Sequence, residues 1–270
     1  MLTSHCLLVP HLPTLLVDEH RGHRTEMLEA LSRASERFRA EAPQAAVVLS
    51  APWDTPGPFR VDAGKRHRTI TEYTGFGVEV RYDCAGHPAL ARALIAAGEK
   101  ARLSVAAASR GVDSGVTVPM HFLAPARDLP VVPLSLPRRP AVECRAWGTA
   151  IRNALAAWKE RVAFVVGGVL SYNLHAWSLR REVPEAREFD ERLLGSLARG
   201  EWSDASWSDR RMLSKVQPEA ELRHLEVLRG FLASDARGEL RCYEPGPGVG
   251  AALMEFAVEQ PVDAESVGGG

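Results

Sequence analysis

Apolar runs of strand length alternate along this chain with segments whose apolar residues recur at helical spacing. Cys6–Val9 is short and continuously apolar, as a buried strand is. Arg24–Ala40 puts Met27, Leu28, Leu31 and Phe38 on one face, which predicts an amphipathic helix. Ala45–Leu49 is apolar and bounded by Pro43 and Pro52, the pattern of a buried strand. Val78–Tyr82 alternates Val, Glu, Val, Arg, Tyr, as a strand with one wet face would. Pro88–Ala97 predicts a helix with its proline in the first turn. Leu103–Ala107, Val131–Leu136 and Ala163–Val169 predict further strands, with a helix over Val142–Trp158 between the last two. Toward the C-terminus, Pro218–Leu232 reads as a helix and Leu240–Tyr243 as a strand.

This alternation predicts an α/β fold, a single domain with a mainly parallel central sheet flanked by helices. The Pro- and Gly-rich stretch Thr55–Lys65 is too short to divide domains, so one domain is expected over 1–260, followed by a disordered tail, 261–270. In such sheets function gathers in loops just beyond the carboxyl ends of strands. That rule points to Pro10–Leu12, Ala51–Thr55, Gly111–Thr117 and Gly167–Leu174.

Charge and composition exclude some partners. The 270 residues carry a net charge of -1, which gives no electrostatic basis for binding nucleic acid or an anionic membrane. No apolar stretch reaches the ~18 residues a membrane helix needs. No basic region precedes the first apolar run, so a signal peptide is not expected. Cys6, Cys84, Cys144 and Cys242 are far apart and form no Cys-x-x-Cys pair. Buried free thiols in a reducing cytoplasm are the expectation.

The four loops carry ordered motifs: Val9-Pro10-His11-Leu12-Pro13, Ser50-Ala51-Pro52-Trp53-Asp54, Asp113-Ser114-Gly115-Val116-Thr117-Val118-Pro119-Met120 and Gly167-Gly168-Val169-Leu170-Ser171-Tyr172-Asn173-Leu174. With Tyr73, Gly75-Phe76 and the stretch Glu221-Leu222-Arg223-His224-Leu225, this set resembles the class III extradiol ring-cleavage dioxygenases, of the protocatechuate 4,5-dioxygenase beta and 2-aminophenol 1,6-dioxygenase type. The resemblance runs in order from about residue 5 to about 255. It implies Fe(II) held by two histidines and a carboxylate with positions left open for substrate and oxygen, and a histidine that moves the substrate proton.

Three histidines of that pattern are missing. Pro52 stands where the second metal ligand belongs, and Ser114 and Tyr172 stand at the acid/base and substrate-binding positions. The resemblance leaves His11 and Glu221 as the residual metal positions. It makes Ser114 and Tyr172 degenerate catalytic positions, and Trp53 and Asn173 candidates for substrate contact. His5, His121, His175 or Asp54 could supply a substitute ligand. Glu221 and His224, three apart, would share a helix face. His20, His23, His67 and His87 read as surface residues, and Trp147 and Trp158 as packing residues.

The expected function is therefore a catalytically degenerate, structural subunit of a heteromeric ring-opening dioxygenase. It would bind no iron and be partnered by a homologous catalytic subunit or by further copies of itself. One alternative is an active Fe(II) enzyme with a rebuilt metal site. A third is a metal-free protein that binds an aromatic small molecule.

Overall fold

In the computed structural model the strands, in chain order, are β1 (His5–Val9), β2 (Ala45–Ser50), β3 (Phe59–Asp62), β4 (Arg66–His67), β5 (Cys84–Ala85), β6 (Val105–Ala108), β7 (Val131–Leu134), β8 (Val162–Gly167), β9 (Gly238–Gly246) and β10 (Val249–Ala257). The structure describes residues 1–71, 73–202, 209–232 and 235–259. The tail expected over 261–270 lies outside the described residues.

The main sheet has the order β6-β3-β7-β2-β8-β1-β10-β9. β7, β2, β8 and β1 run parallel at its centre. β10 and β9 close one side antiparallel, and β3 with β6 form a parallel pair at the other edge. This is the single, mainly parallel α/β sheet that the alternation predicts. β2 is buried along its whole length because both faces are covered. Ala45, Val47 and Leu49 join the apolar cluster on one face, while Ala46 and Val48 join the cluster on the other.

Helices α1 (Pro13–His20), α2 (Glu26–Ala40) and α4 (Ser114–Leu123) cover the second of these faces. On the first lie α3 (Pro88–Lys100), α5 (Ala141–Ala156), α7 (Pro184–Arg199) and α9 (Arg223–Phe231). The short helices α6 (Leu174–Ser178) and α8 (Arg210–Val216) complete the set described. α2 begins as its sequence asks: Thr25 caps it by accepting from the Leu28 amide, and its apolar face, including Met27, Leu31 and Phe38, is buried. Trp147 of α5 is fully buried and stacks on Phe59 of β3 at 5.5 Å, a packing residue as expected. Among the described residues no helix is long and apolar enough to cross a membrane.

Three expectations need correction. Val78–Tyr82 alternates buried and exposed residues but forms no strand, because its backbone is held by side chains and loops. The Tyr82 amide donates to Thr69 Oγ1, and the Tyr82 hydroxyl donates to the Ala124 carbonyl. The Pro218–Leu232 segment is not one helix. Ala220, Glu221 and Leu222 take left-handed backbone angles (φ 48°, 53° and 62°), and α9 starts only at Arg223. His67 is not on the surface but buried, with Nε2 3.0 Å from the Val131 carbonyl.

Candidate active site

The site forms where β1, β2 and β8 end side by side and their loops meet the start of α4. β1 leads into His11, β2 into Pro52 and β8 into Tyr172. Close approach of β8 to α4 needs glycine: a Cβ on Gly167 would stand 1.8 Å from the Gly115 carbonyl oxygen. Asp113 caps α4 by accepting from the Gly115 amide at 3.1 Å. The same carboxylate accepts from Ser50 Oγ at 2.6 Å and from Arg110 Nη1 at 2.7 Å. Ser114, the first residue of α4, is thereby fixed against the end of β2.

The loop after β8 is stitched to the segment that precedes α9. The Tyr172 amide donates to the Gln217 carbonyl, and the Glu219 amide donates to the Leu170 carbonyl at 2.9 Å. The left-handed turn over residues 220–222 follows at once. Non-glycine residues take this conformation at a cost of roughly 1–2 kcal/mol each. Such strain persists only where the surroundings dictate it, commonly at functional sites.

This path delivers Glu219, not Glu221, to His11. Glu219 is buried, with Oε1 2.7 Å from His11 Nε2. Its Oε2 accepts from the Val169 amide at 2.7 Å. With the Val169 amide on Oε2, the carboxylate accepts at both oxygens when His11 carries its proton on Nε2, and His11 Nδ1 then faces Ser114. Ser114 Oγ lies 3.5 Å from that Nδ1. Burial of His11 works to lower its pKa, but the charge and hydrogen bond of Glu219, with the charge of Asp113 adding, outweigh it, and the net direction is up. Glu221 points outward, with an 81% exposed side chain and an ion pair to Arg223 at 3.4 Å.

The other sequence candidates separate in the same way. Tyr172 stays at the site, with its ring edge-on to His11 at 6.0 Å between centroids. Burial, with Glu219 nearby, pushes its phenol up to about 12, so it is not a base near neutral pH. Trp53 is only 2% exposed and lies under the Arg110 guanidinium, so it does not face a substrate. Asn173 caps α6 and donates to the Lys215 carbonyl, so its amide is already in use. Asp54 is held by Arg138 at 2.9 Å. His175 is exposed, and His5 and His121 pair with Glu41 and Glu19 instead. Sequence reasoning missed Glu219, and it took His224 only as a helix-face partner of Glu221, which the turn before Arg223 rules out. His224 is fully buried, neither ring nitrogen has a hydrogen-bond partner among the described residues, and burial lowers its pKa to about 4. The two carboxylates of Pro218-Glu219-Ala220-Glu221 were the available signal, and only the backbone path distinguishes them.

An open cleft of about 950 Å³ adjoins the site. Ala51, Pro52, Tyr172 and Glu219 line it together with Arg138, Arg210 and the buried Arg223. These residues do not fit an iron held by two histidines and a carboxylate. Pro52 has no donor atom, His11 and Glu219 satisfy each other, and no set of three His, Cys, Asp or Glu side chains among the described residues could hold a metal ion.

The fold and the position of this site define an α/β protein with its pocket at the carboxyl edge of a mainly parallel sheet. The chain belongs to the family of the catalytic LigB subunit of aromatic ring-opening dioxygenases, whose family model matches residues 5–254. It is similar, at 30% identity over 192 residues, to a dioxygenase of Hapsidospora irregularis named tasH, a match covering 68% of this chain and 56% of that protein. It is also similar to the 4,5-DOPA extradiol dioxygenases of Beta vulgaris and Portulaca grandiflora. The first is 27% identical over 57% of this chain and 57% of that protein. The second is 32% identical over 61% of this chain and 62% of that protein. The matches thus span less than two thirds of the length of these relatives. An uncharacterized protein of Escherichia coli K12 shares the fold, with a TM-score of 0.69 at 20% identity over 94% of this chain and 100% of that one. These similarities agree with the resemblance that the ordered motifs carry.

Proposed function

We propose that this chain is a ring-opening dioxygenase relative that no longer cleaves rings by itself and serves in the cytoplasm as the non-catalytic subunit of a heteromeric dioxygenase. The observation that carries the reading is the closed His11–Glu219 pair beside Pro52. Two donors that already satisfy each other, with proline where the second histidine ligand belongs, bind Fe(II) weakly. The remaining frame, with its buried core on both faces of the sheet, is kept. A fold kept without its chemistry is what an interface subunit needs, since it stabilises its partner by binding. The free, buried cysteines accord with a reducing compartment.

The test is the iron content of the anaerobically purified chain after Fe(II) reconstitution, with His11→Ala as control. Iron no higher than in the control is expected, with no turnover of catechol or 2-aminophenol. A homologous catalytic chain is expected to co-purify. Near-stoichiometric iron that vanishes in the variant would overturn the reading in favour of an active metal enzyme. The cleft beside Tyr172 supports a second reading, in which an aromatic small molecule binds without metal. Binding unaffected by a chelator would distinguish it.

A further inference from the structure

Where the family pattern asks for histidine, position 114 holds a hydroxyl, and its neighbours are not those of an idle serine. Ser114 Oγ is 3.5 Å from His11 Nδ1, and His11 Nε2 is 2.7 Å from Glu219 Oε1. The second oxygen of Glu219 is pinned by the Val169 amide. His11 and Glu219 are buried while Ser114 is half-buried, so solvent reaches the hydroxyl end of the chain of contacts. A nucleophile within reach of a base, with the base oriented by a third group, is the recurring signature of covalent catalysis. That constellation is recognised by geometry and roles rather than by sequence position, and its contacts commonly tighten only when substrate binds.

We propose that Ser114, His11 and Glu219 form a nucleophilic relay that hydrolyses small carboxylic esters reaching Ser114 from the side of the cleft that Pro52, Tyr172 and Glu219 line. Ser114 Oγ attacks the acyl carbon as its proton passes to His11 Nδ1. The carbon–oxygen bond to the leaving alcohol breaks, and His11 returns the proton to that alcohol. Water then attacks the acyl-Ser114 ester, giving a proton to His11. The bond to Oγ breaks, the serine recovers its proton, and the acid leaves. Ester and water become acid and alcohol, with no oxidant or reductant. Glu219 is a positioning residue: it keeps the His11 proton on Nε2 and so leaves Nδ1 free to act as base. The Ser114 amide is at the start of α4, beyond the reach of that helix's own carbonyls, and is available to the developing oxyanion. Pro52 has a part too. By removing a metal donor it leaves His11 and Glu219 to each other, and its ring packs against Gly115, beside the nucleophile.

The experiment treats the full chain with a fluorophosphonate probe and, separately, with p-nitrophenyl acetate, both with excess EDTA. A single adduct on Ser114, located by peptide mass, and a burst of nitrophenol are expected. Ser114→Ala should remove the adduct and lower hydrolysis at least ~100-fold. Glu219→Gln should slow labelling by a similar factor and move the His11 proton to Nδ1, read from imidazole ¹⁵N shifts, which a purely structural role would leave on Nε2. No adduct, an adduct on another side chain, or hydrolysis that survives Ser114→Ala would overturn the proposal. This inference does not depend on the subunit reading. Absence of a partner chain leaves Ser114 labelling unaffected, and absence of labelling leaves the iron and co-purification results as they are.

Discussion

Asp190→Asn is expected to change how stability depends on pH between about 4 and 6, because it removes one of two buried groups that oppose each other there. Asp190 is fully buried and accepts from the Ser171 amide, the Ser171 hydroxyl and the Tyr243 hydroxyl. Burial outweighs these bonds and raises its pKa from 3.8 to about 6. A carboxyl with a raised folded pKa contributes stability that is present below 3.8 and lost as pH rises through about 6. His224 does the opposite. Its folded pKa falls from 6.5 to about 4, so its contribution is present above 6.5 and lost as pH falls through about 4.

Each effect is on the order of 3 kcal/mol, and their signs cancel across the window. Urea unfolding at pH 4.5, 5.5 and 7 should therefore show little net slope from this pair in the native chain. In Asp190→Asn stability should rise with pH, because only the His224 contribution remains; asparagine keeps an acceptor for the Ser171 amide, and the two hydroxyls can rotate to accept from its NH2. In His224→Leu it should fall with pH over the same range. Parallel profiles for all three proteins would show that neither group titrates as its burial requires.

Trp147→Ala is expected to cost about 3–5 kcal/mol, the usual range when a large aromatic leaves a core. Trp147 is fully buried and stacked on Phe59, where β3 and α5 meet. Rigid β-sheet lies on one side of the void, so it cannot collapse cheaply. Trp147→Phe should cost much less. The indole Nε1 has no hydrogen-bond partner among the described residues, and an unsatisfied buried donor costs about 1–3 kcal/mol. Phenylalanine loses volume but sheds that penalty. The check is the urea midpoint with an unchanged m-value. A loss below about 1 kcal/mol for the alanine variant would mean that Trp147 is not a keystone of this face.

How much could be read beforehand follows from which forces act locally. β1, β2, β7 and β8 are legible because strands buried on both faces must be continuously apolar. The loops that follow β1, β2 and β8 are legible because the carboxyl edge of such a sheet is where chains turn and side chains converge. β3 is hidden in the Pro- and Gly-rich stretch before Lys65, where turn residues mask a short strand between β6 and β7. Val78–Tyr82 has strand periodicity without a neighbour to bond, and periodicity reports burial, not pairing. Trp53 reads as a substrate contact from its loop, yet Arg110 covers it, a tertiary contact that local sequence does not encode. The acid that meets His11 lies two residues ahead of the one the motif suggests, because Ala220-Glu221-Leu222 contains no glycine, asparagine or aspartate to announce a reversed turn.

That reversed turn makes chain length the controlling variable at the pocket. Over Ala220, Glu221 and Leu222 the backbone winds against the usual hand, so neighbours there do not share faces at helical intervals. Inserting or deleting one residue ahead of it would slide a different side chain beneath His11, alanine or proline in place of the acid, while composition stayed almost the same. Swapping the chemical identity of nearby positions is a smaller perturbation than shifting the frame by one. The segment therefore works as a spacer whose count, more than its content, decides which group His11 meets.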